Sequence, residues 1–210
     1  MSISTPQTPT PPSTDAADGI ARDATREPSG RRPFPGWRWV AVALAFPVAG
    51  YVGWAVGGRV DAVDAALVGG AVTGAGLGAV QWWAADGDLG RPAAWIAASA
   101  VGYAVGLAVG AALVGFDTDL GSLALMGLVS GATLGAAQGL ILARDGRQGL
   151  TLPWALAMPV LFALGWCAST GIGVDVDDQF TVFGAAGALV FMVLSGLVLA
   201  RFAPARVDLT

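Results

Sequence analysis

Gly70-Ala71-Val72-Thr73-Gly74-Ala75-Gly76-Leu77-Gly78-Ala79-Val80-Gln81 is answered, 57 residues later, by Gly127-Leu128-Val129-Ser130-Gly131-Ala132-Thr133-Leu134-Gly135-Ala136-Ala137-Gln138. In both stretches three glycines stand four residues apart, and a glutamine follows three residues after the last. Residues four apart share one face of a helix, drifting about 40° per step, so each stretch reads as a helix carrying a glycine groove. Grooves of small residues let helix backbones approach closely where lipid leaves no hydrophobic drive between helices. Gly102, Gly106 and Gly110 make the same row on the stretch between the two copies, and Gly139 extends the second copy by one step.

Stepping 57 residues further reaches Gly184, Gly187, Ala188, Met192 and Ser195, a decayed third copy with Ser195 in the glutamine's place. The intervening runs agree as well. Trp39, Trp95 and Trp154 each stand at the start of an apolar run, and each is followed eleven residues later by a glycine (Gly50, Gly106, Gly165). The simplest organisation is three hairpins of the same polarity. The expected fold class is therefore all-α: a polytopic membrane bundle of six transmembrane helices arranged as three repeated hairpins.

Composition leads to the same class. The 210 residues are 55% hydrophobic and only 12% charged, and the mean hydropathy is +0.65. Soluble domains carry about 25% charged residues, so half the usual solvated surface is missing. Apolar runs fall near 39–57, 65–84, 93–115, 123–143, 153–173 and 180–200. Each has the roughly 20 residues a helix needs to cross about 30 Å of hydrocarbon, and lipid demands helices because unpaired backbone groups are too costly there. Pro47 and Pro159 lie within the first and fifth runs, where they are expected to kink the helix.

Residues 1–36, rich in Ser, Thr, Pro, Asp and Arg, read as a disordered cytoplasmic tail. The tail has no apolar stretch of signal-peptide type, so it is expected to be retained, and it has no early cysteine for a lipid anchor. The transmembrane domain is expected over 37–203, with 204–210 a short cytoplasmic C-terminal tail. Ten of the eleven arginines (Arg22, Arg26, Arg31, Arg32, Arg38, Arg91, Arg144, Arg147, Arg201 and Arg206) fall on one side of the six runs. Arg59 alone falls on the other, with Asp61, Asp64, Asp117, Asp119, Asp175, Asp177 and Asp178. The positive-inside rule then places both termini in the cytoplasm and the chain in the cell (plasma) membrane.

Hairpins ending in GxxxGxxQ, followed by an arginine-bearing loop and a leading tryptophan, resemble a group of uncharacterised bacterial multi-pass membrane proteins. The resemblance covers about 40–200 and departs in the sixth run, where Ser195 replaces the glutamine. It implies a fold and a membrane address, and no activity.

The side chains narrow the chemistry. The net charge of −4 argues against nucleic acid, and there is no histidine, no lysine and a single cysteine, Cys167, in an apolar run. Zinc, haem and iron–sulfur sites lack ligands, so neither metal nor other cofactor is expected. No run carries a charged residue in its middle, which leaves acid–base and nucleophilic catalysis few candidates beyond interfacial Asp86, Asp88 and Asp145. The expectation is that the chain is not an enzyme and has no catalytic residue. Asp175, Asp177 and Asp178 do not have the spacing of a calcium loop and read as topological charge.

Gln81 and Gln138, with Ser195 in the third position, share the glycine-groove face. Buried amides in membrane helices usually serve as interhelical glue; the functional alternative is a polar ring around a pseudo-threefold axis that contacts a solute. Thr73 and Ser130 are expected to return their hydroxyls to their own helix. Gly70, Gly74, Gly78, Gly102, Gly106, Gly110, Gly127, Gly131 and Gly135 are expected to pack helices within the chain, with a homo-oligomer contact or a pore of small residues as the functional uses. Trp37, Trp39, Trp82, Trp83, Trp95 and Trp154 read as an interfacial aromatic belt, and Trp54 and Trp166 as packing or belt residues. The expected partners are the lipid bilayer and a second copy or another membrane protein. The favoured function is a non-enzymatic structural or accessory bundle. The alternative is an uncoupled channel or transporter for a small neutral solute, since ion coupling needs an intramembrane charge. A site, if there is one, is expected between the second and fourth runs.

Overall fold

The computed structural model describes residues 36–86, 89–174 and 179–202. The expected tails therefore lie outside the described residues except for Gly36, as do Asp88, Asp175, Asp177 and Asp178. Among the described residues the fold is all-α, with six helices long and apolar enough to cross a membrane. These are α1 (Gly36–Gly57), α2 (Val63–Ala84), α3 (Pro92–Leu113), α4 (Leu120–Arg144), α5 (Gln148–Gly171) and α6 (Ala185–Phe202). Within α1 the backbone tightens to a 3-10 turn at Val42–Leu44. Pro47, which follows, has no N–H for the Ala43 carbonyl four residues back, and its ring crowds that carbonyl.

Each helix packs on its neighbours in the chain, and the first half of α1 closes on α6. The outward faces are apolar: Val48, Val52, Val56, Val101, Val105, Leu156, Val160 and Leu197 are all exposed. An apolar exterior over a bundle is what a multi-pass membrane protein presents to lipid, where water-soluble domains rarely expose large contiguous apolar patches.

The glycine rows explain the close approach. A Cβ on Gly70 would sit 2.9 Å from Ala104 Cα, and one on Gly127 would sit 3.0 Å from Ala163 Cα. Gly74 faces the Ser99 carbonyl and Gly131 the Met158 carbonyl in the same manner, while Gly78 meets Ser99 Cβ at 2.7 Å and Gly135 meets Met158 Cβ at 2.8 Å. Row by row, α2 lies on α3 as α4 lies on α5. Gly102, Gly106 and Gly110 of α3 face Leu134, Ser130 and Met126 of α4. All nine glycines thus contact the next helix of their own chain, and none of these rows is left over for a second copy.

The two ends are tied differently. At the arginine-rich end Arg38 lies 3.8 Å from Asp86 and over the Trp83 ring, and Arg91 lies 3.8 Å from Asp145. At the far end Gln179 joins all three loops: its carbonyl accepts from Val60 N–H at 3.1 Å, and its Nε2 donates to the Phe116 carbonyl at 2.9 Å. Asp119 caps α4 there, accepting from Ser122 N–H at 2.9 Å and from its hydroxyl at 3.0 Å. The Ser122 backbone N–H, then its hydroxyl, holds the Asp119 carboxyl below the ordinary carboxylate range. Because the folded pKa is the lower one, the cap stabilises above the unfolded value of about 3.9 and its contribution disappears as pH falls through the folded pKa. A small gap in thermal midpoint between the parent chain and Asp119→Ala is expected at neutral pH, and it should close in strong acid.

The sixth helix begins later than the sequence suggests. The apolar run starts at Phe180, but α6 starts at Ala185. Thr181, Val182 and Phe183 form a non-helical segment that is nevertheless buried, at 0%, 5% and 1% exposure. Irregular backbone at membrane depth is tolerated only when protein or a water-filled cavity surrounds it, and here protein does.

Candidate functional site

Two polar networks and a separate Trp39–Ser195 pair lie within the bundle. The first spans α3, α4 and α5 near the arginine-rich end. Trp154 Nε1 donates to Gln138 Oε1 at 2.8 Å, Gln138 Nε2 donates to Ser99 Oγ at 2.9 Å, and Ser99 Oγ donates to the Trp95 carbonyl at 2.8 Å. Gln138 is 1% exposed and every donor in this relay has an acceptor. Ser195 stands apart: its hydroxyl accepts from Trp39 Nε1 at 3.1 Å and donates to the Met192 carbonyl at 3.3 Å.

Gln81, Gln138 and Ser195 therefore do not form one ring. Gln81 and Gln138 line a common cavity between α2 and α4, with Ser99, Tyr103 and Phe162, and Ser195 is not among its walls. That cavity measures about 10 Å³, enough for about one water. The Gln81 side chain is 3% exposed. Trp95 Nε1, also buried, lacks a hydrogen-bond partner. The indole–polar pairing realised twice, Trp154 to Gln138 and Trp39 to Ser195, has its would-be third instance in Trp95 and Gln81, and there it is open.

Three tryptophans read as belt residues are instead core. Trp39, Trp95 and Trp154 are 0% exposed, with ring centroids 6.2 Å apart for Trp39–Trp154 and 6.0 Å for Trp95–Trp154. A tryptophan at the end of an apolar run fits an interface belt or a bundle core equally well by sequence. Here Trp39 and Trp154 each find a polar acceptor on another helix, Ser195 and Gln138, while Trp95 is core without one. Trp37 and Trp83, at 75% and 54% exposure, do lie at the surface, and Trp82 donates to the Gly90 carbonyl at 2.8 Å. Trp166 is buried within the bundle.

A second aromatic layer lies beyond the first. Phe46, Phe162, Phe183 and Phe191 interlock at centroid separations of 5.0–5.9 Å, and Tyr103 leans on Phe162 at 5.5 Å. Phe183 comes from the buried segment before α6, not from a helix. The arrangement plugs the middle of the bundle with rings.

Beyond this layer lies the second polar network, which sequence reasoning missed. Thr73 and Thr181 hydroxyl oxygens are 2.7 Å apart and share a hydrogen bond, and each also has a carbonyl acceptor on α1, Ala49 at 3.3 Å for Thr73 and Gly50 at 3.0 Å for Thr181. Tyr103 OH donates to the Thr181 carbonyl. Ser130 bonds its own helix at the Met126 carbonyl, 2.8 Å away. Thr73 does the opposite of its sequence expectation and reaches across to the Ala49 carbonyl of α1 and to Thr181 of the buried segment.

Among the described residues no group of three or more metal-ligating side chains occurs. Asp145 is engaged by Arg91, and Asp86 lies within reach of Arg38. A larger, mainly apolar pocket of about 260 Å³ lies elsewhere, between α1, α5 and the segment before α6. No family model, no curated protein and no solved structure matches this chain.

Proposed function

We propose that the chain is a non-enzymatic structural or accessory bundle of the plasma membrane, with both termini cytoplasmic, that works by packing with another membrane protein. We further read its three hairpins as an internal repeat held together by glycine zippers. The observation that carries the functional reading is the filled middle of the bundle. Two aromatic layers, Trp39, Trp95 and Trp154 and then Phe46, Phe162, Phe183 and Phe191, occupy the place where a solute path would run. The buried amide of Gln138 is taken up by Trp154 and Ser99, which suits glue better than a solute contact. The repeat is supported by the matched contacts of Gly70 with Gly127, Gly74 with Gly131 and Gly78 with Gly135. Orientation is supported by Arg38, Arg91, Arg144, Arg147 and Arg201 at one set of helix ends.

The alternative, an uncoupled path for a small neutral solute, keeps one point in its favour: Gln81 and Gln138 line a common small cavity. Two measurements separate the readings. Under the bundle reading, purification in mild detergent recovers a reproducible membrane partner, and proteoliposomes show no flux of glycerol or urea above protein-free vesicles. A lone monomer whose flux falls in the Gln81→Leu, Gln138→Leu double variant would overturn it.

A further inference from the structure

The segment that replaces the start of α6 leaves a pocket of about 260 Å³ between itself, α1 and α5. Its floor is Trp166 and Phe183, both buried, and its mouth is formed by Pro47 and Tyr51 on the exposed face of α1, with Tyr51 60% exposed. Tyr51 stands fifteen residues into α1, about 22 Å along a helix rising 1.5 Å per residue and some 33 Å long in all. The mouth therefore opens in the far half of the hydrocarbon layer, away from the arginine-rich end.

The described wall is mainly apolar, and the Trp166 indole N–H within it has no hydrogen-bond partner. The Thr181 hydroxyl nearby is committed to Thr73 and to the Gly50 carbonyl, and among the described residues no charged side chain lines the space. The pocket exceeds the roughly 150 Å³ of apolar cavities that take up benzene, and an unfilled space of this kind forfeits dispersion contacts along its whole lining. The α1 residues next to its mouth, Val48 and Val52, are exposed and apolar. We propose that this pocket is a lipid site that seats the end of one acyl chain of a phospholipid from the far leaflet.

The test uses the full chain in vesicles of phosphatidylethanolamine and phosphatidylglycerol doped with a phosphatidylglycerol that carries a diazirine near the end of one acyl chain. After illumination, labelled peptides are mapped. The shallow apolar groove between α2 and α3, lined by Val63, Leu67, Val105 and Val109, has the same volume and serves as the reference for ordinary annular lipid. Label on 47–51 and 180–184 is expected at several times the density found on that groove. Gly184→Leu should cut the pocket label several-fold and leave the groove label unchanged, because a Cβ there meets only ordinary contacts, at 3.4 Å or more, and the added side chain fills the space. Val174→Phe fills the same pocket from a second lining position, so that failure of one variant to fold does not end the test. Pocket label no denser than groove label, or unchanged in whichever variant folds, would overturn the proposal. So would chain-to-chain cross-links at 47–51, which would mean that a second copy occupies the mouth.

Discussion

Gly131→Ala should destabilise the bundle although alanine is the better helix former by about 1 kcal/mol. A Cβ on Gly131 runs into the Met158 carbonyl and comes within 2.7 Å of Pro159 Cα, and both obstacles are backbone that no side-chain rotation can move aside. Overpacking a core costs about 1–3 kcal/mol, occasionally more, and Gly131→Leu belongs at or above the top of that range because α4 and α5 must separate. At about 2–4 °C per kcal/mol for a chain of this size, the leucine variant should lose at least roughly 6 °C of apparent thermal midpoint in detergent. Gly139→Ala is the matched control. Its Cβ would find nothing nearer than the Thr151 carbonyl at 3.4 Å, so propensity alone should leave it neutral or slightly more stable. Opposite signs for one substitution at two glycines of the same row would separate contact from propensity; a loss of similar size at both would sink the packing account.

Trp154→Ala is expected to cost about 3–5 kcal/mol, the range for deleting a large buried aromatic. The indole fills the centre of the tryptophan layer and also satisfies Gln138. Trp154→Phe isolates the second effect. It keeps a ring but leaves Gln138 Oε1 without its donor, which should cost about 0.6–2 kcal/mol, as interhelical hydrogen bonds do in membranes. Trp95→Phe provides the comparison, because the Trp95 N–H has no partner to lose. It should cost less than Trp154→Phe, and a double-mutant cycle of Trp154→Phe with Gln138→Leu should show coupling that Trp95→Phe with Gln138→Leu does not. Equal costs for the two tryptophans would mean that the Trp154–Gln138 bond contributes nothing.

The contrast between these two sets of residues shows what the sequence could and could not reveal. The glycine rows were legible with their faces, because a four-residue spacing on a helix has one geometric meaning and lipid leaves small residues one common use. The six helices were legible because length and apolarity are both set by the bilayer. Trp39, Trp95 and Trp154 were misplaced because a tryptophan at the end of an apolar run satisfies two physical arguments, a belt and a core. The signal that separates them was present: each sits level with a polar residue, Gln81, Gln138 or Ser195, near the same end of a neighbouring run. The segment Phe180–Gly184 was illegible for a different reason. Four apolar or β-branched residues continuing into an apolar run look like the first turn of a helix, and only tertiary contacts with Thr73, Gly50 and Tyr103 hold them out of it. The buried hydroxyl of Thr181 and the pocket beside it follow from that one departure.

The claim that the middle of the bundle is closed can be tested most directly by thiol accessibility. Cys167 is the chain's one cysteine, so Cys167→Ser gives a background in which single cysteines can be placed at will. Ser99→Cys and Ser195→Cys put a thiol within each of the two indole-linked polar groups, and Asp117→Cys puts one on the exposed loop before α4. A membrane-impermeant maleimide, applied from each side of sealed vesicles in turn, should modify the Asp117→Cys thiol from one side only and leave the Ser99→Cys and Ser195→Cys thiols untouched from both. Modification of either buried thiol at a rate approaching that of the Asp117→Cys thiol would show a water-filled path through the bundle and contradict the account.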